Sequence, residues 1–165
     1  MNAVLSQLVG HPLVLLEGCD GVGKTTIAAQ LHRRHGYAVV HSPVTPSTVD
    51  LPARYHDLIT TPGRRVLDRS FVSELVYGPL RRGRSRLTDE QAKRLASTAS
   101  DEGGVLGHLS AGASVLQARL RDRSGEDVPS VEELRAVLDR YDSVIHGLSR
   151  YLTVIRFDTS AVPAG

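Results

Sequence analysis

Residues 18–25 read GCDGVGKT and match the pattern G-x-x-x-x-G-K-[ST], so this stretch carries the chain's clearest chemical signal. Glycines let the backbone turn tightly and aim consecutive N–H groups at one anion. A helix that begins at the end of the loop adds the positive end of its dipole. The pattern therefore predicts a cradle for the phosphates of a nucleoside triphosphate, formed by Gly18, Asp20, Gly21, Val22 and Gly23.

Three residues at the end of this pattern have side chains suited to phosphate and metal binding. Lys24 is expected to reach the β- and γ-phosphates as a point charge. The Thr25 hydroxyl is expected to bind Mg²⁺, with Thr26 packed beside it. ATP and Mg²⁺ are therefore the predicted cofactors. An apolar run at 12–16 and a helical pattern at 27–31 supply the strand and helix that the motif needs on either side.

A carboxylate and a guanidinium follow another apolar run, at Asp68 and Arg69. Asp68 is expected at the carboxyl end of a strand, where a second oxygen ligand would bind Mg²⁺ directly or through water. Arg69 would then point its guanidinium into the same crevice.

Two other parts of the chain concentrate arginine. Residues 81–86 (RRGRSR) could bind the phosphate of an acceptor, contact a nucleic acid backbone, or form a solvated loop. Tyr77 is the one aromatic ring near that stretch. In residues 119–123 (RLRDR) the arginines are two positions apart, so they cannot all face one site of a helix. One or two of them could swing over the phosphates as a lid, or the stretch could be a solvated helix end.

Strand and helix patterns alternate along the chain. Strands are predicted at 12–16, 37–41, 65–68, 105–109 and 152–157. Helices are predicted at 24–35, 48–60, 70–77, 88–100, 113–121 and 130–148, with 78–86 as a basic loop. Such alternation predicts an α/β fold with a parallel five-stranded sheet flanked by helices. The carboxyl ends of the strands then gather the glycine-rich loop, Asp68 and Arg69 on one rim.

The composition is typical of one globular domain spanning 1–165, with 41% hydrophobic and 23% charged residues and a net charge of +2. No apolar run approaches the ~20 residues that a membrane span needs, and the N-terminus has no basic start of a signal peptide. The single cysteine cannot form an internal disulfide. A cytoplasmic location is therefore predicted.

Motifs that the chain lacks exclude several classes of nucleotide-binding protein. Asn2 is the only asparagine, so the guanine-reading motif Asn-Lys-x-Asp of GTPase switches cannot occur. The third predicted strand ends in Asp-Arg rather than the Asp-Glu of motor ATPases, and the sequence Leu-Ser-Gly-Gly-Gln does not occur. A small domain with an Asp-Arg strand end and an arginine-rich helix end indicates a small-substrate kinase.

Three motifs resemble those of the thymidylate kinase family: residues 17–26 (EGCDGVGKTT), 68–70 (DRS) and 73–79 (SELVYGP). The third is close to the stretch seen in phage-encoded thymidylate-kinase-like proteins. The resemblance implies a three-layer P-loop kinase fold with a short lid near 119–128. It also implies transfer of the ATP γ-phosphate to a deoxynucleoside monophosphate such as dTMP, in an enzyme that is often a homodimer.

The resemblance also implies roles for single residues. Asp20 would hold the sugar of the acceptor, Arg69 its phosphate, and Tyr77 would line its pocket. Gly21 resembles the subtype that carries its catalytic arginine in the lid, which points to Arg119 or Arg123.

The acceptor side departs from the family, because residues 41–43 (HSP) replace its Arg-Glu-Pro element. Three hypotheses follow. The first is a monophosphate kinase, with Arg81 and Arg86 as further acceptor-binding residues. The second is a kinase for a hydroxyl group, on a nucleoside, a small molecule or a modified base in DNA such as 5-hydroxymethyluracil, with the 81–86 stretch gripping the DNA. The third is a non-catalytic ATP-binding regulator.

Overall fold

A computed structural model of the chain describes residues 2–42, 45–125 and 127–161. The strands are β1 (Leu13–Glu17), β2 (Ala38–His41), β3 (Arg65–Asp68), β4 (Gly104–Ser110) and β5 (Val154–Asp158). The helices are α1 (Asn2–Leu8), α2 (Lys24–His35), α3 (Leu51–Thr60), α4 (Phe71–Arg82), α5 (Asp89–Asp101), α6 (Ala113–Ser124) and α7 (Val131–Leu148). Among the described residues, no helix is long and apolar enough to cross a membrane.

The five strands form one sheet in the order β2-β3-β1-β4-β5, and every neighbouring pair is parallel. All five residues of β1 are buried because the strand is central and covered on both faces. Leu13 and Leu15 pack into the core on one face, whereas Val14 and Leu16 pack into the core on the other. The prediction of a parallel five-stranded sheet between helical layers is confirmed.

The carboxyl ends of β1, β3 and β4 lie side by side at one edge of the sheet. Leu16 is in register with Asp68 of β3 and Gly107 of β4. The chain moves from β1 toward β2 and β3 on one side and toward β4 and β5 on the other, so the strand order reverses beside β1. Ligands of such sheets bind in the crevice at this switch point.

The prediction of a basic loop at 78–86 is wrong for its first half, because α4 continues to Arg82. Pro79 removes one helical N–H, but an ion pair between Arg82 and Glu74 joins the last turn of the helix to its first turn at 2.6 Å. Gly83 then ends the helix in the left-handed conformation, donating its N–H to the Pro79 carbonyl. Helix α1, for which no element was predicted, packs on the core through Leu5 and Leu8.

Candidate functional site

The glycine-rich loop lies between β1 and α2, as its pattern predicts. Gly18, Gly21 and Gly23 all have positive φ, at 142°, 85° and 95°. Gly18 also approaches β4 closely, since a Cβ added there would lie 2.1 Å from the Leu109 carbonyl oxygen. Val22 is buried against this turn. The loop therefore has a backbone conformation that favours glycine at these three positions.

Replacing Gly18 with alanine is therefore expected to destabilise the fold by about 3 kcal/mol, from overpacking and backbone strain together. In a domain of this size that loss lowers the melting temperature by roughly 6–12 °C. Thermal unfolding followed by circular dichroism measures it. The matched control is Gly36→Ala, at φ 70° with open space around the added Cβ, where only the smaller backbone term is expected. Equal losses in the two variants would contradict the close approach to β4.

Lys24, the first residue of α2, is 6% exposed and folds back over the loop. Its ammonium donates hydrogen bonds to the carbonyls of Gly18 at 2.8 Å and Cys19 at 2.9 Å. Burial, and then the positive charge of Arg69, lower the pKa of Lys24. A desolvated cation held over backbone N–H groups is suited to a phosphate chain.

Thr25 and Asp68 meet across the end of the sheet, where the Thr25 hydroxyl donates to the Asp68 carboxylate at 2.9 Å. A hydroxyl oxygen and a carboxylate oxygen at this distance are ligands that Mg²⁺ accepts alongside phosphate and water, so these residues fit the predicted metal. His41, from the end of β2, also contacts the Asp68 carboxylate at 3.2 Å. Thr26 is exposed beside Thr25, rather than packed as predicted.

Arg69 lies across the crevice from the loop. It is the only non-glycine residue with a positive φ (74°) among the residues that the structure describes. Its guanidinium forms an ion pair with the Asp20 carboxylate of the loop and lies over the Tyr77 ring, 5.4 Å from the centroid. The structure therefore brings Asp20, Arg69 and Tyr77 together, and their roles toward an acceptor stay predictions.

The arginines of the 81–86 stretch do not act as one patch. The Arg81 guanidinium lies over the Tyr77 ring, 4.7 Å from the ring centroid. Arg86 instead donates to three backbone carbonyls, of Thr45, Pro46 and Val49. Since Arg82 pairs with Glu74, two of the four arginines are occupied by the protein itself. Arg86 therefore holds the segment before α3 in place. Direct contact between Arg86 and an acceptor stays a prediction.

The two predicted lid arginines lie on the same face of α6, four residues apart. Arg119 donates to the Gly21 carbonyl of the loop at 3.3 Å and to the Thr159 carbonyl after β5 at 2.6 Å. These two carbonyls therefore hold the Arg119 guanidinium at the side of the loop. Arg123 is exposed in the last turn of α6. Within the predicted lid, Glu126 lies outside the described residues, and the catalytic roles of both arginines stay predictions.

Glu17 belongs to the site although no role was predicted for it. Glu17 ends β1, is fully buried, and accepts hydrogen bonds from Ser70, Ser73 and Tyr141. The sequence signal that could have found it is a charged residue at the end of an apolar strand, immediately before the loop.

No protein-family model matches the chain. The SPbeta prophage-derived uncharacterized protein YorR of Bacillus subtilis (strain 168) is 26% identical over 144 residues, which span 84% of this chain and 86% of YorR.

Two solved structures have a similar fold. The crystal structure of Bacillus subtilis YorR in complex with phosphorylated GDP aligns with a TM-score of 0.79 at 26% identity, covering 89% of this chain and 85% of YorR. A deoxyadenosine kinase from M. mycoides with bound dCTP aligns with a TM-score of 0.59 at 15% identity, covering 88% and 89% of the two chains. The chain therefore has the three-layer α/β P-loop kinase fold.

Proposed function

We propose that the protein is an Mg²⁺-dependent kinase that transfers the γ-phosphate of ATP to a deoxynucleoside monophosphate, with dTMP as the first candidate. The observation that carries the proposal is the meeting of two half-sites at one rim. Lys24, Thr25 and Asp68 form the donor half, and the Asp20–Arg69 pair with Tyr77 forms the acceptor half. YorR was solved in complex with phosphorylated GDP, which supports a nucleotide as a ligand of this chain.

The chemistry is positioning and charge neutralisation. Lys24 and the loop N–H groups would bind the β- and γ-phosphates, and Mg²⁺ held by Thr25 and Asp68 would neutralise the charge that builds up on the transferred group. Arg69 would orient the acceptor phosphate. A monophosphate oxygen is already anionic, so the transfer needs no strong base. Arg119, fixed beside Gly21, would stabilise the loop, and Arg123 would reach the phosphates from the end of α6.

A second candidate, phosphorylation of a hydroxyl group, is favoured by one observation. The Arg69 guanidinium is already paired with the Asp20 carboxylate, so the acceptor half offers less net positive charge to a dianionic phosphate. A nucleoside, or a modified base in DNA, brings no such charge to this half-site. Arg81 and Arg84 would be the DNA contacts, because Arg82 and Arg86 are occupied by internal bonds.

One set of reactions decides between the acceptors. The protein is incubated with Mg²⁺ and γ-labelled ATP or, in parallel, GTP, against deoxynucleoside monophosphates, nucleosides, and oligonucleotides with plain or hydroxymethylated bases. Label on dTMP or another monophosphate supports the proposal. Label only on nucleosides or DNA supports the second candidate. Nucleotide binding by calorimetry without transfer to any acceptor would support the regulator hypothesis.

Replacing Asp68 with asparagine is expected to lower the transfer rate by about 10–100-fold and to raise the Mg²⁺ concentration needed for half of the maximal rate. The reason is that the amide keeps the shape but loses the charge that attracts the metal. Initial rates across an Mg²⁺ titration measure both effects. Asp57→Asn, at an aspartate whose side chain is 85% exposed on α3, is the matched control. An unchanged Mg²⁺ dependence in the Asp68 variant would place the metal elsewhere.

A further inference from the structure

Glu17 is the most heavily hydrogen-bonded buried carboxylate of the site. Its two oxygens accept from the Ser70 N–H at 2.6 Å, the Ser70 hydroxyl at 2.8 Å, the Ser73 N–H at 3.2 Å, the Ser73 hydroxyl at 2.8 Å and the Tyr141 hydroxyl at 3.1 Å. Burial, and then the Glu17 charge, raise the pKa of Tyr141 well above its usual value, so its hydroxyl stays a donor. These five donors satisfy both oxygens of the buried carboxylate. They also hold the first turn of α4 against the end of β1.

These bonds bracket Arg69 on both sides. The Arg69 N–H donates to the Leu16 carbonyl at 3.1 Å, and the next residue, Ser70, is bound to Glu17 through its backbone and its hydroxyl. One Arg69 Nη donates to the Ser73 hydroxyl at 3.4 Å, and the other pairs with Asp20. The guanidinium is therefore linked to Glu17 through a single serine hydroxyl.

The backbone of Arg69 shows why such a bracket is needed. A positive φ is unfavourable for an arginine and persists only where the surroundings enforce it. Here the Leu16 carbonyl fixes the residue from one side and the Glu17 carboxylate fixes its neighbour from the other. Without these bonds the chain could return to an ordinary conformation, which would move the guanidinium away from the loop.

We propose that Glu17 and Ser73 form a positioning clamp for Arg69, setting the direction of its guanidinium so that it can bind the acceptor. Glu17 does not touch the acceptor in this scheme. The role of the clamp in catalysis rests on the proposed function, whereas its effect on the orientation of Arg69 does not depend on that function.

The kinetic test uses two variants and a matched control in the full-length protein. Ser73→Ala removes the hydroxyl that joins Glu17 to Arg69 and puts a good helix former in its place. It is expected to raise the acceptor KM by about fivefold to tenfold and leave the ATP KM unchanged. Glu17→Gln is expected to raise the acceptor KM at least as much and also to lower the melting temperature. Ser97→Ala, at a half-buried serine of α5, should change neither KM. Equal rises in both KM values would mean a merely structural role.

The second test needs no substrate. In protein labelled with ¹⁵N-arginine, the guanidinium signals of Arg69 are assigned by their loss in Arg69→Lys. Restricted rotation of this guanidinium is expected in the wild-type protein and in Ser97→Ala, with faster rotation in Ser73→Ala and Glu17→Gln. Unchanged Arg69 signals in both clamp variants would overturn the proposal. If the wild-type protein phosphorylated no acceptor, the proposed function would fail, while these signals would still decide whether the clamp exists.

Discussion

Replacing Lys24 with alanine is expected to lower the rate of phosphoryl transfer by about a thousandfold or more. Lys24 is nearly buried, and its ammonium is fixed over the loop by the Gly18 and Cys19 carbonyls. A desolvated and preorganised charge is worth far more in such a site than in water, and no other lysine lies near the loop in sequence. Transfer of label from γ-labelled ATP to the best acceptor, at saturating Mg²⁺, measures the loss.

The control for this variant is unusually direct, because Lys93 is the only other lysine of the chain and is exposed on α5. Lys93→Ala should keep the wild-type rate, and circular dichroism should show that both variants are folded. Removing the ammonium leaves two carbonyls that the loop can expose to water, so only a small change in melting temperature is expected. Substantial transfer by Lys24→Ala would mean that the glycine-rich loop is not the donor site.

The features that the sequence predicted well depend on residues close together along the chain. The loop pattern fixes which atoms face a phosphate, and its shape is confirmed by the positive φ of three glycines. The starts of the helices predicted at 88 and 130 are equally local, since Thr88 and Ser130 each form a capping box with the glutamine or glutamate three residues later. Alternating strands and helices sufficed for the fold because parallel strands need crossover helices.

The features that the sequence missed depend on partners far apart in the chain. Glu17 and Tyr141 are 124 positions apart, and nothing local predicts their hydrogen bond. The same holds for Arg86, whose carbonyl partners precede α3, and for Arg119, whose partners lie in the loop and after β5. An arginine-rich stretch therefore indicates charge, but only the tertiary structure tells which arginines the protein uses for itself.

Whether the site suits a monophosphate or a neutral hydroxyl acceptor depends on the charges around Tyr77. The guanidiniums of Arg69 and Arg81 both lie over this ring, and the Asp20 carboxylate neutralises part of the charge of Arg69. An acceptor phosphate would have to compete with Asp20 for Arg69 or share it. A variant that removes Arg69 should therefore distinguish a monophosphate acceptor from a neutral hydroxyl.

Replacing Arg69 with alanine is expected to lower kcat/KM for a monophosphate acceptor by about 100–1000-fold, since the half-exposed Asp20 carboxylate would then repel the phosphate. Arg69→Lys keeps the charge but not the forked donors, so a smaller loss is expected. Steady-state kinetics against monophosphates and nucleosides, with the ATP KM measured in parallel and the exposed Arg94→Ala as control, give the comparison.

Combining Arg69→Ala with Asp20→Asn is the sharpest form of this test. If Asp20 repels the acceptor phosphate once Arg69 is gone, removing its charge should restore part of the lost kcat/KM, so the two effects will not add. For a nucleoside acceptor no such recovery is expected, because there is no phosphate to repel. Equal losses for monophosphates and nucleosides, with no recovery in the double variant, would mean that Arg69 acts on the donor phosphates, and the acceptor half of the site would have to be sought on another part of the rim.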